Sequence, residues 1–301
     1  MAPITRSSGI AALTVTLLAV LGPAFYQFVF PYLNLHSSSS HFISFPLPPS
    51  ISKFLHIQDV EQQASPPSSS SFSCLPHTYT TEIISLDPLL IYIDSFLSPT
   101  DISALLEAGE PEFAPSQVYK RGRNQGTSDR TSSSAGLPRN NPAVQCVLNR
   151  AETFLGAMLD SSRDDIGPPQ LVRYTSGQRF NRHHDWYKNP QPTRKGMLGR
   201  GRTWNRIASF FAILEDQCTG GETWFPFVNT TALPMVDAEG RPLWRRHEDG
   251  GSAFRPVAGN ALFWVNLFNN GTGDDRTVHA GLPVEDGLKT AMNIWPRKFY
   301  E

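Results

Sequence analysis

Two histidines and an aspartate, His183, Asp185 and His279, have types and spacing that suit metal chemistry, and Lys289 follows the last of them by ten positions (289 − 279). Two imidazole nitrogens and one carboxylate can occupy one face of an octahedral divalent ion and leave the opposite face open. Non-haem Fe(II) centres that activate oxygen use that arrangement. No cysteine lies near either histidine, which argues against a structural zinc site. A lysine close behind the second histidine marks a place for an organic acid. A buried ammonium is costly alone, and a carboxylate supplies a charge-assisted bond. The plain alternative for Lys289 is a surface lysine opening a strand.

His-x-Asp is a weak motif by itself, and the chain has a second copy, His247-Glu-Asp249. That copy sits among Arg245, Arg246, Gly250 and Gly251, with no apolar run leading into it. Only 30 residues (279 − 249) separate it from His279, which is tight for the strands that must lie between the ligands. His247 is therefore read as a solvated loop residue. His183-His-Asp185 ends an apolar run, and the gap to His279 is 94 residues (279 − 185). Side chains two apart in a strand share a face, so His183 and Asp185 can grip one ion while His184 projects to the other side.

The elements that must position these residues begin with a strand at 89–96. Ser98-Pro-Thr-Asp101 supplies an oxygen cap and an early proline for a helix to about residue 107. Residues 114–140, rich in Ser, Arg and Gly, read as a long loop over the site. Asn141-Pro142 caps a second helix, whose stripe of Val144, Val147, Leu148, Ala151, Phe154, Leu155 and Met158 packs on a sheet. Apolar and aromatic runs at 171–180, 206–214, 260–268 and 289–295 read as strands. Short strands after two helices predict an α+β domain, with a double-stranded β-helix (jelly-roll) core and flanking helices. Such a barrel holds its ligand between two sheets, so distant strands can supply one metal site.

The chain of 301 residues has a formal net charge of −1, which gives no electrostatic case for nucleic acid. Its 25 prolines and 22 glycines argue against a helical bundle. After Arg6 no charge occurs before Lys53, and a largely apolar stretch of 22 residues runs from Gly9 to Phe30, about the length of a membrane span. The basic front end predicts a cytosolic tail at 1–8 and a transmembrane signal anchor at 9–32. A Ser/Pro-rich linker at 33–77 and a domain at 78–301 then lie in the lumen of the secretory pathway. Gly22-Pro23-Ala24 offers a cleaved signal peptide as the alternative. The sequons at Asn229 and Asn270 agree with a lumenal, glycosylated domain. Of the three cysteines, Cys74 and Cys146 are the first guess for a bridge, with three free thiols as the alternative.

Several motifs occur together: Tyr174-x-x-Gly-Gln, His183-x-Asp185, Gly220-Gly-Glu-Thr, His279-Ala-Gly-Leu-Pro, Gly287-x-Lys289 and Asn293-Ile-Trp295. In combination they resemble the prolyl 4-hydroxylase alpha-subunit-like branch of the 2-oxoglutarate/Fe(II)-dependent dioxygenases. The resemblance implies that His183, Asp185 and His279 bind Fe(II) and that Lys289 pairs with the distal carboxylate of 2-oxoglutarate. It implies that the hydroxyls of Tyr174 and Thr223 help hold that co-substrate, and that ascorbate serves as reductant. The implied reaction consumes O2, decarboxylates 2-oxoglutarate to succinate and hydroxylates a C–H bond, most simply of peptidyl proline. Two positions depart from the family pattern, Leu282 for a common cysteine and Thr290 for a common aromatic. An oxygenase of a small molecule or modified peptide is the alternative, and a silent binding module on the same fold is the second. Arg194, Lys195, Arg200 and Arg202 read as a solvated rim with some call on an acidic substrate.

Overall fold

The computed structural model describes residues 72–120, 123–125, 128–193, 201–230 and 233–300. The expected anchor at 9–32, nearly all of the linker, and Arg194, Lys195 and Arg200 lie outside the described residues. Among the described residues no helix is long and apolar enough to cross a membrane.

The architecture follows from where the apolar runs can be covered. The larger sheet has nine strands. Its centre is Leu89–Asp94, Ala261–Val265, Ala208–Glu215, Val284–Ile294 and Gln170–Thr175, in that order and antiparallel throughout. Both faces of this centre are buried, so its strands read as nearly continuous apolar runs rather than as an alternation. Phe210 and Phe263 face one another across the ladder and point to the helices, together with Met292 and Ile294. Their neighbours Phe211 and Leu262 point the other way, toward a second sheet. That sheet has the order Trp244–Arg246, Ser252–Phe254, Thr223–Phe225, His279–Gly281 and Phe180–His183. Tyr92, Leu262 and Trp264 of the first sheet pack on Phe225, Trp244 and Phe254 of the second. The described residues are mostly sheet with few helices, consistent with the expected jelly roll.

Both helices begin where the caps predict. Ser98 Oγ accepts from the Asp101 amide at 3.1 Å and Asp101 Oδ2 accepts from the Ser98 amide at 2.9 Å, a reciprocal box ahead of helix Pro99–Gly109. Asn141 Oδ1 accepts from the Ala143 and Val144 amides and opens helix Pro142–Leu155. Val144, Val147, Leu148 and Ala151 bury their stripe on the sheet. Arg150 ties the helices together, donating to Asp101 Oδ2 at 2.8 Å and to the Phe96 carbonyl at 2.7 Å. Cys74 and Cys146 form a disulfide, Cα–Cα 5.6 Å, which fastens the segment before the first strand to the second helix. Cys218 is free.

Four expectations need correction. The run 171–180 is two strands, Gln170–Thr175 and Phe180–His183, because Gly177 takes a positive φ in the turn between them. Lys289 does not open its strand but sits inside Val284–Ile294. The 114–140 loop contains strands at Ala114–Pro115, Val118–Lys120, Arg123–Gln125 and Ser133–Gly136. His247 is not a solvated side chain, since its ring stacks on Trp224 at 4.4 Å.

Candidate metal centre and co-substrate pocket

The two histidines meet because their strands pair. Phe180–His183 and His279–Gly281 are antiparallel neighbours, and His183 lies directly opposite His279. Directly opposed side chains in such a ladder stand about 5 Å apart at Cβ, and the two rings are 4.3 Å apart at their centroids. Asp185 lies just beyond the end of its strand, where the chain bends. The period-two argument therefore covers His183 but not Asp185. The carboxylate reaches the site through the bend: His183 Nε2 is 3.9 Å from Asp185 Oδ1 and His279 Nε2 is 4.0 Å from Asp185 Oδ2. Each of the three offers a ligand atom within 4.8 Å of the others. His184 turns away, its Nε2 3.3 Å from the Asp275 carbonyl.

Hydrogen bonds outside the triad fix which atoms face inward. His183 Nδ1 lies 2.8 Å from the Asn181 carbonyl and His279 Nδ1 lies 3.0 Å from the Thr277 carbonyl. A carbonyl can only accept, so each Nδ1 carries the proton and each Nε2 presents a lone pair toward Asp185. Asp185 Oδ2 accepts from Ser209 Oγ at 2.7 Å and from Trp295 Nε1 at 3.0 Å. Ser209 in turn accepts from Asn266 Nδ2 at 2.9 Å. Aromatic walls enclose the rings, with Phe180 3.6 Å from His183, and Trp264 and Phe225 4.7 and 5.3 Å from His279.

The electrostatics suit a divalent cation. Burial and the neighbouring His279 push His183 down to about 3. Burial lowers His279 as well, against the pull of Asp185. Burial works to raise Asp185, yet the two rings, Arg206 and the Ser209 bond outweigh it and hold the carboxyl at about 2. At neutral pH the set is two neutral imidazoles and one carboxylate, the form in which these groups bind metal. The donor types, the aimed Nε2 atoms and the supported carboxylate fit an Fe(II) ion.

Lys289 pairs across the ladder with Tyr174 and shares its inward face. It is 1 % exposed, and its Nζ donates to the Gly221 carbonyl at 2.6 Å. Among the described residues no carboxylate forms an ion pair with it. Burial lowers it to about 8, with Cys218 and Glu222 opposing. The Phe211 and Tyr174 rings lie 5.1 and 5.8 Å from Nζ. Both rings line a cavity of about 620 Å³ that also holds the triad and Thr223. Lys289 is thus a buried ammonium behind the wall of the metal cavity with one carbonyl as company, a site that favours an incoming anion.

The second His-x-Asp motif also places ligand atoms near one another, in His247, Glu248 and Asp249, but Glu248 and Asp249 are exposed and none of the three lines the metal cavity. Ser209, Arg206, Asn266 and Arg130 escaped the sequence reading, and Trp295 was marked there only as part of a motif. A signal for Ser209 existed, since it is the polar residue at an inward position of an otherwise apolar strand. Thr290, where the family pattern has an aromatic, is buried on the face of the sheet opposite Lys289. There it accepts from Arg173 Nε at 3.1 Å and donates to Glu215. It leaves the metal cavity untouched.

Residues 169–297 match the 2OG-Fe(II) oxygenase superfamily. Prolyl 4-hydroxylase 1 of Arabidopsis thaliana is 26% identical over 222 residues, 72% of this chain and 71% of that protein. Prolyl 4-hydroxylase subunit alpha-3 of Homo sapiens is 28% identical over 224 residues, 72% of this chain but only 35% of that subunit, so the chain spans about a third of it. The crystal structure of a viral collagen prolyl hydroxylase from Paramecium bursaria Chlorella virus-1, in complex with 2OG, superposes with a TM-score of 0.49 at 21% identity, covering 69% of this chain and 95% of the viral one. The matched region carries a 2-oxoglutarate/Fe(II) dioxygenase domain, an oxidoreductase with iron and 2-oxoglutarate as its cofactors. The curated relatives that this region resembles are prolyl 4-hydroxylases.

Proposed function

We propose that this chain hydroxylates a C–H bond of peptidyl proline or a similar residue, with decarboxylation of 2-oxoglutarate to succinate. In this reading His183, Asp185 and His279 hold Fe(II), Lys289 takes the distal carboxylate of 2-oxoglutarate, and Tyr174 and Thr223 bond to it. The observation that carries the reading is the convergence of the three ligand side chains on a cavity backed by one buried ammonium. When bound, iron and 2-oxoglutarate supply the oxidising chemistry. The chain's own residues do the rest. The Asn181 and Thr277 carbonyls keep both Nδ1 protonated, so both Nε2 stay available. Ser209 and Trp295 saturate Asp185 Oδ2 and leave Oδ1 for the ion. Phe180, Phe225 and Trp264 keep water off the rings. The cavity reaches the surface at the exposed residues Asn181 and Arg182, which suits a peptide better than a compact molecule. Ascorbate is carried as a family expectation.

The test is mass spectrometry of proline peptides incubated with enzyme, Fe(II), 2-oxoglutarate and O2. An added oxygen with stoichiometric succinate is expected, and His279→Ala should abolish both. Coupled turnover persisting in His279→Ala contradicts the assignment.

The location follows as a second part of the proposal: a single-pass type II membrane protein, anchored at 9–32, with its oxygenase domain in the endoplasmic reticulum lumen. The Cys74–Cys146 disulfide supports an oxidising compartment. The exposed positions of Asn229 and Asn270 leave both sequons open to glycosylation.

A further inference from the structure

We propose that the cavity takes an acidic segment, a peptide with an aspartate or glutamate side chain next to the residue that is oxidised. This rests on the oxygenase reading above and names its substrate class. Three guanidinium groups line the cavity, Arg130, Arg182 and Arg206, against two acids, Asp129 and Asp185. Both acids are engaged. Asp185 serves the triad, and Asp129 accepts from Asn181 Nδ2 at 3.4 Å. Among the described residues none of the three arginine side chains hydrogen-bonds to a carboxylate, and only Arg206 has one within ion-pair range. Arg130 is 9 % exposed and bonds to two neutral groups, Ser132 Oγ at 3.1 Å and Gln170 Oε1 at 3.2 Å. Arg206 lies against Trp295 at 3.7 Å and Tyr187 at 5.1 Å, and it donates to the Asp185 backbone carbonyl. Its distance to the Asp185 carboxylate, 4.0 Å, is beyond a hydrogen bond. Arg182 stands exposed at the mouth, 5.8 Å over the Trp224 ring, and among the described residues it has no carboxylate partner.

Loading the site does not remove the imbalance. A divalent ion adds two positive charges, and the two carboxylates of 2-oxoglutarate offset those while also engaging Lys289. A cationic cleft with low-dielectric walls concentrates anions. Arginine held flat against aromatic rings offers a planar pair of donors that a carboxylate matches and an amide matches less well. Arg202 plays no part, since it folds onto Phe299 and donates to the Arg163 carbonyl.

Three labelled proline peptides that differ only in Glu, Gln or Lys beside the proline decide the matter. Each is titrated into protein loaded with Mn(II) and 2-oxoglutarate, and anisotropy gives its Kd. The Glu peptide should bind about tenfold more tightly than the Gln peptide, a difference of about 1.4 kcal/mol. The advantage should shrink as salt rises. Arg182→Gln should narrow the ratio most, and Arg182→Lys, which keeps the charge but not the planar fork, should keep only part of it. Equal Glu and Gln affinities, a preference for Lys, or a ratio unchanged in Arg182→Gln overturns the inference. Parallel oxygenation assays with Fe(II) separate the two readings. Acid-selective binding without added oxygen sinks the prolyl reading alone, and equal oxygenation of all three peptides with equal binding sinks the charge preference alone.

Discussion

At the scale of single residues, Asp185 is the group whose surroundings matter most. One of its oxygens takes two donated bonds, from Ser209 and Trp295, and the other faces the His183 ring. Groups that orient a ligand typically change metal affinity by about 10–100-fold when removed. Ser209→Ala should weaken Fe(II) or Co(II) binding by that amount in a chelator competition, while Ser209→Thr should hold it. Affinity equal to wild type in Ser209→Ala contradicts the orienting role. Lys289 carries a pH prediction whose sign is fixed. Its ammonium titrates at about 8 when buried without an anion, below its ordinary 10.5. A carboxylate binds only the protonated form, so 2-oxoglutarate affinity should be level below about pH 8. Above that it should fall by about tenfold per pH unit. A flat profile to pH 9.5 by calorimetry contradicts the pairing. His183, His279 and Lys289 were legible in the sequence from residue type and context. Ser209, Asn266 and Arg130 were not, because their roles depend on which face of a strand or which turn brings them inward.

At the scale of elements, the site is a product of strand pairing. The ladder that sets His183 opposite His279 also sets Lys289 opposite Tyr174, and both pairs point into the space between the sheets. Gly287 shows how tightly the approach to Lys289 is drawn. Its φ is +90°, and a Cβ there would lie 2.0 Å from the Gln217 carbonyl oxygen. Gly287→Ala should therefore destabilise the fold by about 1–3 kcal/mol, read as a lowered denaturation midpoint, and should weaken 2-oxoglutarate binding by displacing Lys289. Stability and affinity both at wild-type level contradict the close fit. Helix starts were readable in the sequence because caps are local: Ser98 and Asn141 bond within three residues of themselves. Strand ends were less readable. The break at Gly177 had a local cue in the glycine itself, but the bend after His183 depends on pairing with distant segments, which no local pattern records. The short strands within 114–140 escaped for the same reason.

At the scale of the whole molecule, the described residues form one β-rich unit, consistent with a jelly roll, with the disulfide clamping its leading segment to the second helix. The bridge spans 72 residues of chain, and loops of that size typically give about 2–4 kcal/mol. Reduction should lower the Tm by several degrees, and in the lumenal proposal glycosidase should shift the mobility of protein made in a secretory host. An unshifted Tm contradicts the clamp, and protein with Cys74 and Cys146 reduced and no glycan contradicts the lumenal placement. The β-rich class was legible from aromatic runs separated by Gly, Pro and Asn. The separation of the two facing sheets needed the register, because strands buried on both faces lose the alternation that would identify their inner side. The central claim is that one metal ion is shared by residues from two paired strands. A crystal of the Fe(II)-loaded protein, with anomalous scattering recorded at the iron edge, tests it most directly. The account predicts a single strong peak among His183 Nε2, His279 Nε2 and Asp185. A peak at His247 and Asp249 instead, or none at full iron loading, contradicts it.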